Sequence, residues 1–579
     1  MMHQQPTSSP AAPDYPATPL VLPDEGSIIV PRLHGQVLIE PPASRLFQAI
    51  EMPPGRYSFS RHSDILGIPE FGRLADIARQ DLYQAVCTHA AATGMPAPAM
   101  EIIHRPWIVT GHQSEFYHAG VWAKVLAADI LARQAGAQAF DLIVDHDLLN
   151  ECGFALPVPD SENAGQWRKD PVDWGKPEAV PSQFIDAPRH RRKQEWIHAV
   201  KQSASRGPVG ISGPLLEFLD EMSADDGAEF VPWLSRARAG FERAMGLEVW
   251  HAPCSLLCAG DAWIIFVLSW IARARSWAAV YNAALADYRL ANDIASPGQP
   301  MPDLLSGADQ VEMPFWIFGV NQPRSRLILD TASGAVFAAG KSIPLQPLLA
   351  GTLSQRLTYF RQQFDAAGLF VRPRALTLTI FARGFLADLF IHGIGGALYD
   401  RITDRIMSQL FGTPPPYACI SAGWLLPFPE HAESPLPPST IRGLRHHLWH
   451  NPDFSAALAD PTLSDAALRE LRQLAAERRQ IIQTLADSPV HDRTSTIAGA
   501  RAAGRRRRTI LFRRLHDIIR RCHQLYPAPL SKLDAALAGA EIALRQRQVT
   551  EWREYFFAIH PRDSLVNLHN ALRQRLGRQ

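Results

Sequence analysis

The sequence has almost no net charge, few cysteines and no long hydrophobic run, and each absence removes a class of function. Lys and Arg number 58 against 57 Asp and Glu. A chain so balanced is not expected to bind nucleic acid as a whole, because polyanion binding needs a basic excess. The cysteines Cys87, Cys152, Cys254, Cys258, Cys419 and Cys522 are scattered. Only Cys254 and Cys258 lie close together and no second pair answers them, so a zinc ribbon is not expected. They read as reduced, mostly buried thiols of a cytoplasmic protein. The most apolar run, AWIIFVLSWIA from Ala262 to Ala272, is too short to span a bilayer, which takes about 20 apolar residues. Asp261 and Arg273 bracket it, so a buried helix is expected and a membrane partner is not. The opening MMHQQPTSSPAAPDYPATP has neither the basic nor the apolar region of a secretory signal. Its Pro, Ser and Ala content predicts a disordered tail over 1–25. There is no P-loop, no G-x-G-x-x-G after a strand, no G-x-S-x-G and no H-E-x-x-H. What survives is any enzyme whose site is assembled from distant segments, or a non-enzyme.

The chain is too long for one typical core, so more than one domain is expected. "WIVTG" reads as a strand, "AGVWAKVLAADILARQAG" as a helix closing at Gly136, and "AFDLIVDHD" as a second strand buried on both faces. Strand, helix, strand in that order is a βαβ unit with a parallel pair. Residues 160–210 read as polar loop. From about 213 to 292 the pattern is helical. "QVEMPFWIFG" and "SRLILDTASGAVFAAGKSIPL" read as a strand and a hairpin. "RALTLTIFARGFLADLFIHGIGGALYDRITDRIMSQLFG" reads as helices with a break at Gly393–Gly396. From about 440 the chain becomes charged with heptad-like spacing, which predicts a helical hairpin or coiled coil. The expected organisation is the tail 1–25, an α/β core over 26–435 with a helical insertion at about 213–292, and a helical, coiled-coil-like region over 436–579.

In a parallel α/β sheet, ligands bind beyond the carboxyl ends of the strands. Gly111, His112 and Gln113 end the first strand of the βαβ unit, and Asp145, His146 and Asp147 end the second. His112 could do acid–base work or contact a phosphate, and the following helix N-terminus could hold an anion. His118 and Gln113 could orient a substrate. Lys124, on the first turns of the helix, could reach a phosphate. The alternative is that His112 and Gln113 only satisfy backbone groups at the turn. Asp145 and Asp147 alternate, so on a strand both would point to one side and His146 to the other. Two carboxylates there could bind Mg²⁺, position an amine or cap the next helix. His392 precedes a Gly-Ile-Gly-Gly turn able to form an anion nest or simply a sharp bend. The histidines of "RHHLWH" (His446, His447 and His450) could hold a metal but have no carboxylate or cysteine partner in view. Arg505–Arg508 could touch phosphates, but more often such a run is a solvated helix face, and Cys254 and Cys258 read as packed thiols.

The segment "VTGHQSEFYHAGVWAKVLAADILARQAGAQAFDLIVDHD" resembles the cysteine-adding enzymes of bacillithiol synthesis, the BshC family. That family's pattern is a strand ending in Thr-Gly-Gln-Gln, a turn with Phe and Gly, a helix bearing Lys and a strand ending in Glu-Asp-His-Asp. Thr110, Gly111, Gln113, Phe116, Gly120, Lys124, Asp145, His146 and Asp147 stand at corresponding positions. "VRPRALTLT" echoes a Pro-Arg segment of the same family at Pro373, Arg374 and Thr377. His112 departs from the family's first Gln, and "YHAG" departs from its usual turn. The match covers about 40 residues. The resemblance implies a Rossmann-like, nucleotidyltransferase-type core with a helical connecting region and a C-terminal coiled coil. It implies a ligase or transferase that joins cysteine, or a similar carboxyl donor, to an amino-sugar amine. The expected catalytic residues are His112, Asp145 and Asp147. Gly111, Gln113, His118, Lys124, His146, Arg374 and His392 would bind substrate or nucleotide. ATP or ADP and Mg²⁺ are the candidate cofactors, and a small molecule and a second copy of the chain the candidate partners. A non-catalytic scaffold self-associating through its C-terminal helices and a metal-dependent hydrolase are the competing readings.

Overall fold

A computed structural model describes residues 26, 28–51, 73–224, 229–320, 322–429, 436–487 and 498–578. The expected disordered tail 1–25 lies outside the described residues. The chain divides into two compact units, Met1–Phe428 with Glu551–Gln579, and Pro429–Thr550.

The first unit is mixed α/β. Its early strands are β1 (Gln36–Glu40), β2 (Trp107–Gln113), β3 (Gln138–Val144), β4 (Gly153–Pro159), β5 (Trp167–Asp173) and β6 (Val249–Pro253). The later ones are β7 (Gln310–Gly319), β8 (Ser325–Asp330), β9 (Ala335–Ala338), β10 (Lys341–Pro344), β11 (Leu369–Pro373), β12 (Leu389–His392) and β13 (Tyr417–Gly423). The main sheet has the order β1-β13-β12-β2-β3-β6. All neighbours in it are parallel except β1, which runs antiparallel to β13. Successive strands β2, β3 and β6 add in one direction, and β12 then returns to the other side of β2.

Alternate residues explain why this sheet is buried on both sides. Trp107, Val109, Phe140 and Leu142 enter one apolar core, and Ile108, Ala139, Ile143, Leu389 and Ile391 the other. The first core is covered by helices including Leu74–Thr93 and Asp261–Ala272, the second by Ala119–Ala135 and Phe230–Ala244. The apolar run at Ala262–Ala272 is thus a core helix, and among the described residues no single helix is long and apolar enough to cross a membrane. A separate antiparallel sheet has the order β10-β9-β8-β7-β11.

Several expectations change. The loop expected at 160–210 contains part of the β4–β5 hairpin and the helix His190–Ser205, whose Trp196, Ile197 and Val200 are buried. The helical stretch at 213–292 is interrupted by β6, a core strand of the main sheet. The segment read as helices around His392 contains β12, whose four residues are all buried. These strands are short and flanked by stronger helical patterns, which is why periodicity concealed them.

The second unit, Pro429–Thr550, is helical. Asp465–Asp487 pairs antiparallel with Ala498–Leu525: Glu477 meets Arg514 and Glu470 meets Arg521, each at 2.6 Å. Arg505, Arg506 and Arg507 are exposed on the second of these helices. The helical region expected over 436–579 ends sooner, since Glu551–Gln579 belongs to the first unit. Phe557 stacks on Trp122 at 4.7 Å, and Leu565, Leu568, Leu572 and Leu576 are fully buried there.

Candidate functional site

β2 ends at Gly111, His112 and Gln113, and the helix Ala119–Ala135 follows. Gly111 is required by close packing, since a Cβ would lie 2.9 Å from the Leu142 carbonyl oxygen. His118 caps the helix, its Nδ1 accepting from the Gly120 N–H at 3.0 Å. His112 Nδ1 lies 3.3 Å from the Gln113 carbonyl oxygen. A carbonyl only accepts, so this contact assigns the proton to Nδ1 and leaves a lone pair on Nε2. Burial, with the Lys124 charge adding to it, pushes the His112 imidazole down to about 3. Burial and the Arg553 charge do the same to His118. Both rings are therefore neutral at pH 7.

Lys124, expected to reach a phosphate, is buried and donates to the Gly111 carbonyl at 2.6 Å. That bond uses one of its three N–H donors. Burial pushes its ammonium down to about 8, opposed by Asp141. Its Cδ lies 3.8 Å from where a Cβ on Gly393 would stand, so the start of the helix Ile394–Leu410 abuts it. His392 closes β12, one residue beyond the Ile391–Thr110 pair, and so beside Gly111. Its Nε2 is 2.9 Å from Asp400 Oδ2, and Asp400 is paired with Arg383 at 2.5 Å. Arg383 also holds Asp404 at 2.7 Å. Burial keeps the His392 imidazole below its ordinary range although Asp400 opposes this. The glycine break is a strand-to-helix turn with Gly393 as N-cap. Gly396 makes room for His392, because a Cβ there would sit 2.6 Å from its Nδ1.

The Asp-His-Asp cluster is not one site. β3 stops at Val144, so the alternation expected for Asp145 and Asp147 does not operate. Asp145 is buried, accepts from the Ser255 N–H at 2.9 Å and also bonds the Ser255 hydroxyl, fixing the short helix Cys254–Leu257. His146 is buried, and its Nδ1 has no hydrogen-bond partner among the described residues. Asp147 meets Gln113 Nε2 at 3.4 Å and Arg324 Nη1 at 2.5 Å. Among the described residues no three His, Cys, Asp or Glu side chains are arranged to hold a metal. Arg374 follows β11 as the N-cap of the helix Ala375–Phe381, 2.6 Å from Glu312. Cys254 and Cys258 are packed thiols whose burial raises both.

The structure therefore gathers Gly111, His112, Gln113, Lys124 and His392 at the ends of β2 and β12, with Asp147 at the margin. It assigns His118 to a cap, Asp145 to a helix anchor and Arg374 to an ion pair. It also shows a buried ionic network that the sequence reading missed. Asp141, in the middle of β3, faces Arg238 at 3.2 Å and His251 at 3.4 Å. His251 reaches Glu242 at 2.9 Å, and Glu242 accepts from the Trp122 indole at 3.0 Å. Arg238 lies over the Tyr117 ring at 5.1 Å, and Tyr117 meets His112 edge-on at 5.2 Å. Burial alone would raise Asp141, but Arg238 and His251 hold it below its ordinary range. One signal was visible: a lone Asp inside the otherwise apolar run 139–144. Comparison of the chain with known proteins finds no matching family model and no matching curated protein.

Proposed function

We propose that the chain is a nucleotide-binding ligase or transferase that joins a carboxyl donor, such as an amino acid, to an amine. The reading treats the main sheet as a Rossmann-like, nucleotidyltransferase-type core and the chain as a divergent relative of the BshC enzymes. One observation carries it. The strand order reverses between β2 and β12, and such a switch point is where open α/β sheets bind ligands. His112, Lys124 and the start of the helix Ile394–Leu410 stand there together.

The donor set fits a nucleotide phosphate. Lys124 offers an ammonium, the helix offers free N–H groups at its N-terminus, and a Cβ on Gly395 would meet nothing within 4 Å. A bound ATP would supply the activated phosphoryl group that amide formation from a free carboxylate needs. Lys124 would neutralise phosphate charge, the neutral His112 would accept a hydrogen bond from the amine at Nε2, and Gln113 would orient the amine. His392, locked by Asp400, holds the helix N-terminus in place. The residues do not fit a protein-held Mg²⁺, since Asp145 and Asp147 are engaged separately by Ser255 and Arg324.

Isothermal titration with ADP and ATP, alongside product detection by mass spectrometry from amino acids mixed with amino sugars and ATP, tests the reading. The wild type should bind nucleotide and form an amide. H112A should bind but form little product, and K124M should bind at least tenfold more weakly. A folded wild-type protein that binds neither nucleotide would falsify the proposal.

A further inference from the structure

β7, β8 and β11 present a face of unusual composition. Trp316 on β7 stands directly opposite Arg326 on β8 and Arg372 on β11. Arg324 immediately precedes β8, and Arg374 immediately follows β11 as the N-cap of the helix Ala375–Phe381. The Arg324 and Arg374 guanidinium groups lie over the Trp316 ring, at 4.9 and 4.3 Å. Arg372 lies over Phe370 at 5.1 Å.

This face meets the strand-end crevice. The Gln183 N–H donates to the Asp145 carbonyl at 2.7 Å, and Arg372 Nε donates to the Gln183 side chain at 3.2 Å. Arg324 pairs with Asp147, which also meets Gln113. Arg324, Arg326, Arg372 and Arg374 thus share one small area. The carboxylates that pair with them are Asp147 and Glu312. Asp145, the other acid nearby, is closed off by Ser255. Arg372 is 6% exposed and makes no ion pair among the described residues; its acceptors are the Gln183 side chain and the Val371 carbonyl. Arg374 Nε is buried with no hydrogen-bond partner among the described residues. The buried Asp145 carboxylate balances the Arg372 charge only from beyond ion-pair distance, so the Arg372 fork has no carboxylate directly on it and an anion reaching it would be stabilised. The planar fork suits a two-oxygen acceptor, and stacking on Trp316 holds the neighbouring forks in fixed planes.

We infer that Arg372, Arg374 and Arg324, arrayed around Trp316, form an anion subsite that takes a carboxylate or phosphate group of the substrate. This deepens the proposed function by giving the molecule that enters the crevice a negatively charged group, and it rests on that reading. Arg372 supplies the fork, Arg374, tied to Glu312, adds positive charge beside it, and Arg324 closes the mouth through Asp147.

The test is isothermal titration of the full chain with inorganic phosphate and, separately, with succinate, at constant ionic strength set by NaCl. ADP is titrated into the same proteins. At least one of phosphate and succinate should bind the wild type, and whichever binds identifies the charged group. R372Q and R324Q should each weaken that anion at least tenfold while leaving ADP binding within twofold. R372K, which keeps the charge but loses the fork, should fall between. Loss of phosphate and succinate binding together with ADP binding in a folded R324Q protein would overturn the separate subsite. So would wild-type affinity for either anion in R372Q, or no binding of either anion by the wild type. If ADP binds and neither anion does, the subsite fails and the nucleotide reading stands. If an anion binds and ADP does not, the nucleotide reading fails and the subsite remains.

Discussion

At the scale of single residues, burial governs the chemistry more than residue type does. Lys124 is an ordinary lysine whose surroundings bring its ammonium down to about 8. If its charge holds a phosphate, ADP affinity should be constant below pH 8 and fall as pH rises through it. Titration calorimetry between pH 6.5 and 9.5 would show this, and K124M should bind weakly with no such pH dependence. A pH-independent wild type would remove Lys124 from the site. Asp141 makes the complementary point. Replacing it by Asn leaves Arg238 buried without its carboxylate, which should destabilise the fold by about 3–5 kcal/mol. The double variant D141N/R238M should recover much of that loss in urea unfolding. Additive losses would show that the pair is not coupled.

At the scale of elements, tight backbone contacts set the positions from which side chains act. A Cβ on Gly120 would lie 2.5 Å from the Ala422 carbonyl oxygen of β13. G120A should therefore push the helix Ala119–Ala135 off the sheet and destabilise the protein by about 1–3 kcal/mol, measured as a lowered urea midpoint. The βαβ unit carrying this helix was legible because its strands are apolar, its helix closes at a glycine and its turn residues stand between them. β6 and β12 were not, because each is brief and embedded among helical patterns that dominate any window, and β13, seven residues between Pro-rich segments, shows no alternation because it is buried throughout. His112 and Lys124 were legible by position, whereas the roles of Asp145 and Asp147 were not, since they depend on Ser255 and Arg324, distant in sequence. The arginine face left only a trace in "PRSR" and "VRPR", because Arg324 and Arg374 lie just outside β8 and β11 and their stacking on Trp316 does not follow from strand alternation.

At the scale of the whole molecule, buried neutral histidines make the fold acid-sensitive. His89, His146 and His560 are buried, and burial pushes each down to about 3 from 6.5. In the unfolded chain they bind protons as pH falls through about 6.5, while in the folded chain they do not until about 3. Stability should be full above 6.5 and fall below it by about 1.4 kcal/mol per group per pH unit. Urea midpoints at pH 7, 6, 5 and 4 would reveal the slope, and a flat series would contradict it. The division into units gives a second expectation. Phe428 and Tyr555 are 6.5 Å apart, both in the first unit. Replacing Pro429–Thr550 by a short Gly/Ser linker should leave that unit folded, with its near-ultraviolet circular dichroism and cooperative melting retained. A chain ending at Thr550 should lose both. The same return of Glu551–Gln579 sets a schedule for synthesis. The ribosome delivers every strand of the main sheet before Phe557, which then covers Trp122. At cellular elongation rates of about 5–20 residues per second the interval between Phe428 and Phe557 is roughly 6 to 26 seconds. Throughout it the nascent sheet displays the Trp122 surface that Phe557 later covers, which makes this window one of high demand for a chaperone.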